Sequence, residues 1–146
     1  REGLINFDSR LSEIDLEHFQ PDFKEFYKTE ISAICFAVSA KSELNYQGKK
    51  LVGSAQRKLG NVILQHGSIL CGDYHKKIVN YLKVTDEKKL EILTEISSTT
   101  IDLKSALNTK IDYAKLSQSI LNGFKLHFNS EFLELNHSEL EQRMTA

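Results

Sequence analysis

Between residues 43 and 70 the chain sets short β-type runs end to end, with connections too short for anything but hairpins. Residues 43–46 make one such run, Gln47-Gly48 a turn, residues 50–56 a loosely alternating run and residues 61–65 a nearly continuous apolar one. A parallel pair needs a crossover of a dozen or more residues, so these neighbours can pair only antiparallel. Residues 31–38 supply one more β-type run upstream. The spacing therefore predicts three or four antiparallel strands joined by tight turns.

After Gly72 the period becomes helical. Asp73 is placed to cap a helix whose Tyr74, Ile78, Val79 and Leu82 share a face, and Thr85 to cap another running through Leu90 and Leu93. Residues 111–128 form the clearest helix, with Tyr113, Leu116, Ile120, Phe124 and Phe128 on one stripe, and residues 137–144 suggest a terminal one. Residues 8–28 read as helical turns broken at Pro21, the single proline. Strands followed by helices predict an α+β fold, a small antiparallel sheet with helices packed on one face. The expected organisation is one domain over residues 1–146, strand-rich at 31–70 and helical at 73–146.

Composition narrows the function classes. A formal net charge of -1 offers no bulk attraction to nucleic acid or an acidic membrane. No apolar run approaches the roughly 18 residues of a spanning helix, and Arg1-Glu2-Gly3-Leu4 lacks the apolar core of a signal peptide. Two cysteines, Cys35 and Cys71, are too few for a disulfide framework, so a reducing, cytoplasmic setting is the expectation.

Read residue by residue, the strand-rich segment offers a site without a reaction. Gly48-Lys49-Lys50-Leu51-Val52-Gly53 has the spacing of a phosphate-binding loop, but Ser54-Ala55 follows where Lys-Ser/Thr is required, and strand follows where a helix should. Ser54 lacks the Gly-x-Ser-x-Gly frame of a nucleophile elbow; Gly53, Ser54 and Ala55 read as a small-residue strand where something packs closely. His66, ending the apolar run, reads as a structural histidine satisfied by backbone. Cys35 and Cys71 read as buried cysteines. Cys35, His66, Cys71 and His75 match no C-x-x-C or H-x-x-x-H spacing, so no metal site is expected. Of the adjacent Lys49 and Lys50, one should face inward. A buried ammonium is costly unless an anionic or carbonyl group meets it.

Two blocks, Gly48 to Arg57 (GKKLVGSAQR) and Leu64 to Leu70 (LQHGSIL), resemble the central motif of the biotin/lipoate protein ligase superfamily, on its lipoate ligase and octanoyltransferase branch. The resemblance covers roughly residues 22–135. It implies that Lys50 reaches the acyl carbonyl oxygen and stabilises its negative charge. By the same resemblance Gly53, Ser54 and Ala55 let the acyl group approach, while Gln56, His66 and Gly67 shape the substrate site. One subgroup of the branch carries the octanoyl group on a cysteine, in a Cys-Phe pair upstream of the Gly-x-Lys motif. Cys35-Phe36 stands at that place, which implies Cys35 as the thioester nucleophile.

The implied activity is transfer of an octanoyl or lipoyl group to a lysine of a lipoyl-carrier domain. The implied partners are acyl carrier protein and lipoyl-carrier domains such as the glycine cleavage H protein. The transferase needs no cofactor, whereas an ATP-dependent lipoate ligase, the alternative, would use ATP and magnesium. A non-catalytic module binding an acyl carrier is the third reading. The family's Arg-Arg-x-x-Gly-Gly segment has no counterpart, since neither Arg-Arg nor Gly-Gly occurs. The expectation is therefore the C-terminal part of a larger catalytic domain.

Overall fold

In the computed structural model, which describes residues 1–19, 22, 41–134, 136 and 138, the expected hairpins form one four-stranded antiparallel sheet. Strands β1 (Asp15–Leu16), β2 (Leu44–Tyr46), β3 (Lys49–Leu59) and β4 (Val62–Ile69) lie side by side in chain order. Gln47 and Gly48 make the two-residue loop between β2 and β3, both at positive φ (51° and 73°), the geometry that matches strand twist in a tight hairpin. Residues 60 and 61 close the second hairpin, with Leu59 opposite Val62. The β-type run at residues 31–38, Pro21 and most of the 137–144 helix fall outside the described residues. Asp15–Leu16 is strand rather than helical turn, because it pairs with Leu44 and Asn45 across the sheet.

Helix α1 (Glu2–Phe7) and a 3-10 helix (Ser9–Glu13) precede the sheet; a second 3-10 helix (Asp73–Tyr81) and helices α2 (Asp86–Thr99), α3 (Leu103–Leu107) and α4 (Tyr113–Phe128) follow it. Short polar side chains start α2, α3 and α4, with Thr85 in the expected place. Thr85 accepts from the Lys88 amide (3.3 Å), Asp102 from Ser105 (3.0 Å) and Asp112 from Lys115 (3.0 Å). The segment at residue 73 departs from expectation. It is a 3-10 helix begun at Gly72, and of the predicted face only Val79 is buried, Tyr74 lying in the open. A 3-10 helix stacks every third residue, so a stripe drawn at 3.6 residues per turn does not hold together.

The main core joins Leu4, Phe7, Leu11 and Ile14 from the N-terminal turns to Tyr46 and Leu51 of the sheet and to Leu103, Leu107, Ile111 and Leu116 from the C-terminal helices. A smaller cluster of Val79, Ile92 and Ile96 sits under α2. Of the α4 stripe Leu116 is buried and Ile120 half-buried against the core, while Tyr113, Phe124 and Phe128 are exposed.

Helices α1 and α4 touch backbone to backbone. A Cβ on Gly123 would lie 2.5 Å from the Gly3 amide nitrogen, and one on Gly3 would lie 2.7 Å from the Ile120 Cα. At the far end of α1, Asp8 grips Arg10 with both carboxylate oxygens (3.0 and 2.8 Å), and Arg10 donates onward to the Leu107 carbonyl (2.9 Å). The Arg10 hydrogen bond holds the Asp8 carboxyl at about 2, below its ordinary 3.8.

Gly123→Val should cost at least about 2 kcal/mol in urea unfolding, because backbone cannot yield to the added methyls. Gly72→Ala, where a Cβ meets nothing within 4 Å, should stay within about 0.5 kcal/mol. The depressed Asp8 titration contributes stability above the unfolded carboxylate range, which is lost as pH falls toward about 2. Unfolding measured between those limits should show Asp8→Asn with a shallower acid decline than the unaltered chain.

Candidate functional site

The adjacent lysines of β3 go to different partners. Lys49 donates to the Ser97 carbonyl in the last turn of α2 (3.4 Å), where a cation also meets the negative end of the helix dipole. Lys50 is the inward one, 3% exposed, and its Nζ lies 2.8 Å from Glu43 Oε2, with Glu43 itself 5% exposed. The anion expected opposite a buried lysine is thus a carboxylate seven residues upstream, brought face to face by the hairpin. Glu43 is legible in the sequence only as an acid on the opposite side of the Gln47-Gly48 turn from Lys50.

Glu43 does more than neutralise Lys50. Strand β2 begins at Leu44, opposite Val52, so the Ser54 amide lies past the end of that ladder. Glu43 Oε1 accepts from it at 2.9 Å, which continues the ladder with a side chain. On its other side Glu43 accepts with its backbone oxygen from the Glu17 amide (2.8 Å).

Lys50 is also fixed through its main chain. Its carbonyl accepts from the Ile101 amide (3.0 Å), and a parallel bridge joins it to Thr100. Thr100 in turn meets His75 Nε2 (2.8 Å), while His75 Nδ1 faces the Gly72 carbonyl (3.2 Å). A carbonyl can only accept, so Nδ1 carries a proton. Burial pushes the His75 titration below its ordinary value.

The other motif residues divide between the two faces of the hairpin. In the β3–β4 register Ser54 faces Gly67 and Gln56 faces Gln65, so these share one side of the hairpin, while Gly53, opposite Ser68, and Ala55, opposite His66, share the other. Between Lys50 and Val52 the ladder to β2 slips by one residue, Asn45 facing Lys50 and Leu44 facing Val52, which reverses the alternation. The structure therefore brings Gly53, Ala55 and His66 onto the side of Lys50 and sets Ser54, Gln56 and Gly67 behind it. Gln56 also donates to Gln65 (3.0 Å).

Two readings of the apolar run are corrected. It is strand, but not buried: Val62, Ile63 and Leu64 are 65%, 59% and 53% exposed. His66, read as a structural histidine inside, is exposed too. The reason is reach, because the outer half of the hairpin extends past the helices that cover Lys50 and Leu51. Cys71 is half-buried, and burial with the nearby Asp102 charge pushes its thiol titration up, away from reactive thiolate. Cys35 lies outside the described residues.

Among the described residues no cluster of three or more His, Cys, Asp or Glu could hold a metal ion, and no helix is long and apolar enough to cross a membrane. An apolar groove of about 400 Å³ between α4 (Phe124, Phe128) and the strands (Leu16, Leu44) includes none of the motif residues.

The sequence profile of the lipoyl protein ligase A/B catalytic domain matches residues 13–125. Octanoyltransferase LipM of Clostridioides difficile is 29% identical over 144 residues, 98% of this chain and 52% of the relative. The proteins of that name from Staphylococcus epidermidis (31%; 76% of this chain, 41% of the relative) and Bacillus subtilis (28%; 81% and 44%) are also similar. The chain thus spans about half the length of the curated relatives it matches. No solved structure matches at comparable significance.

Gly67 is the steric linchpin of the hairpin. A Cβ there would sit 2.5 Å from the Gly53 carbonyl oxygen and 3.1 Å from the Ser54 Cα. Gly67→Ala should pry β4 from β3 at Ser54 and cost about 1–3 kcal/mol, with faster amide exchange along the β3–β4 ladder as the check. Unchanged exchange would mean that the strands approach less closely than described.

Proposed function

The chain belongs to the lipoyl protein ligase A/B catalytic domain family, and from that premise we propose that it transfers octanoyl groups in protein lipoylation, through a thioester on Cys35. The observation that carries the reading is the burial of Lys50 at the family motif, with its ammonium held in place inside the sheet. A fixed, desolvated cation is what an acyl-transfer site needs where the carbonyl oxygen gains charge.

The chemistry runs in two balanced steps. The Cys35 thiolate attacks the octanoyl thioester of acyl carrier protein; a new C–S bond forms and the carrier thiolate leaves. A neutral lysine amine of a lipoyl-carrier domain, such as the glycine cleavage H protein, then attacks the Cys35 thioester. An amide forms, the Cys35 thiolate is released, and the amine proton passes to it or to solvent. Each step goes through a tetrahedral oxyanion, and Lys50 is its partner in both. Gly53, Ala55 and His66 lie on the side of Lys50, consistent with contact to the acyl group. Ser54, Gln56 and Gly67 support that strand from behind. The route uses neither ATP nor magnesium, and the names of the relatives favour it over the ligase alternative.

Mass spectrometry of the protein incubated with octanoyl-acyl carrier protein should find an octanoyl adduct on Cys35, absent in Cys35→Ser. Lys50→Met, in protein that circular dichroism finds folded, should slow transfer about 100- to 1000-fold, the effect of losing one oxyanion donor. Undiminished transfer by Cys35→Ser would remove the covalent route. Dependence on ATP with free lipoate as substrate would replace the reading with a ligase.

A further inference from the structure

We infer that Glu43 is a positioning residue of this site: one carboxylate oxygen holds the Lys50 ammonium, and the other ties it to the Gly53-Ser54-Ala55 segment. The inference rests on the proposed role of Lys50 as oxyanion partner and adds the group that sets where that cation stands.

Geometry supports it from three directions. The Glu43 backbone is bound to Glu17 of the β1 edge, Oε1 to the Ser54 amide at 2.9 Å, and Oε2 to Lys50 Nζ at 2.8 Å. Lys50 itself is pinned at the main chain by Ile101. An ammonium on a four-carbon stem is otherwise a loose donor; here its base and tip are both fixed. Cation and small-residue strand therefore move as one unit.

Stability alone does not call for this pair. Two apolar residues of similar volume commonly serve a buried site as well as an ion pair or better. The pair's distinctive consequence is positional: Glu43 holds the Lys50 ammonium at a set distance from the Ser54 amide. The side-chain length fits this task. An aspartate, one methylene shorter, cannot span both partners from the same Cα. Other titratable groups approach this part of β3 from the helical layer, namely His75 through Thr100 and Asp102 two residues beyond, while the Lys49 ammonium is turned to α2.

The test compares Glu43→Gln, Glu43→Asp and Lys50→Met in the octanoyl transfer assay, with thermal melts for folding. Glu43→Gln keeps an oxygen for the Ser54 amide and loses the charge. Its kcat should fall about 100-fold, with KM for octanoyl-acyl carrier protein within about twofold. Glu43→Asp keeps the charge but loses reach, so its kcat should lie between those of Glu43→Gln and the unaltered protein, again with KM within about twofold. Should Glu43→Gln fail to fold, the split between kcat and KM in Glu43→Asp decides. Wild-type kcat in both variants, or a loss of kcat that tracks the folded fraction, overturns the inference. Inactive Lys50→Met beside fully active Glu43 variants defeats this inference alone, whereas active Lys50→Met defeats the role of Lys50 on which it rests.

Discussion

A buried ion pair between two strands sets the terms for the rest of this structure. Lys50 and Glu43 are both almost wholly removed from water and 2.8 Å apart. Removing either partner would strand the other in a dry interior, a loss of about 3–5 kcal/mol. The sheet has to be built so that they meet. The Gln47–Gly48 turn sets the hairpin register, the irregularity between Leu44 and Asn45 adjusts it, and the bridge from Lys50 to Thr100 fixes β3 against the helical layer. Consecutive strand residues ordinarily face opposite sides, but Leu51 is the extra residue where the ladder slips, between Lys50 facing Asn45 and Val52 facing Leu44, and both Lys50 and Leu51 are buried.

From that covered point the hairpin runs outward into solvent. Its inner half carries Lys50, Leu51 and Val52 against the core; its outer half exposes apolar residues on β4. Three exposed apolar residues in a row on an edge strand are unusual for a surface that stays bare. The motif residues straddle the boundary, with Lys50 in the dry part and Gln56 and His66 in the open part. A site placed there combines a desolvated cation with access from outside, as the proposed acyl transfer requires.

The helical layer serves mainly to hold this arrangement. Glycines 3 and 123 let α1 and α4 meet at backbone distance. Asp8 and Arg10 tie the end of α1 to α3, and Lys49 ties β3 to α2. The two polar links join distant parts of the chain, and each ends on a carbonyl left unsatisfied where a helix ends. His75 and Thr100 complete the support behind Lys50.

Hairpins, helix starts and the inward lysine were legible in the chain because each depends on neighbours a few residues apart. Tight turns force antiparallel pairing, Thr85 caps the helix that follows it, and the Lys49-Lys50 doublet in a strand has to send one side chain inward. Burial was not legible in the same way. The apolar run at Val62–Leu64 and the α4 stripe carry patterns suited to a core, but pattern shows only which faces could be covered, not which layer reaches them. The partner of Lys50 and the division of Gly53, Ala55 and His66 from Ser54, Gln56 and Gly67 were decided by register, and the closeness of Gly3 to Gly123 by packing across 120 residues of chain. Local sequence determined the elements and the charge that had to be met. Only the folded chain decided what met it, because that contact joins groups whose distance is set by pairing across the sheet.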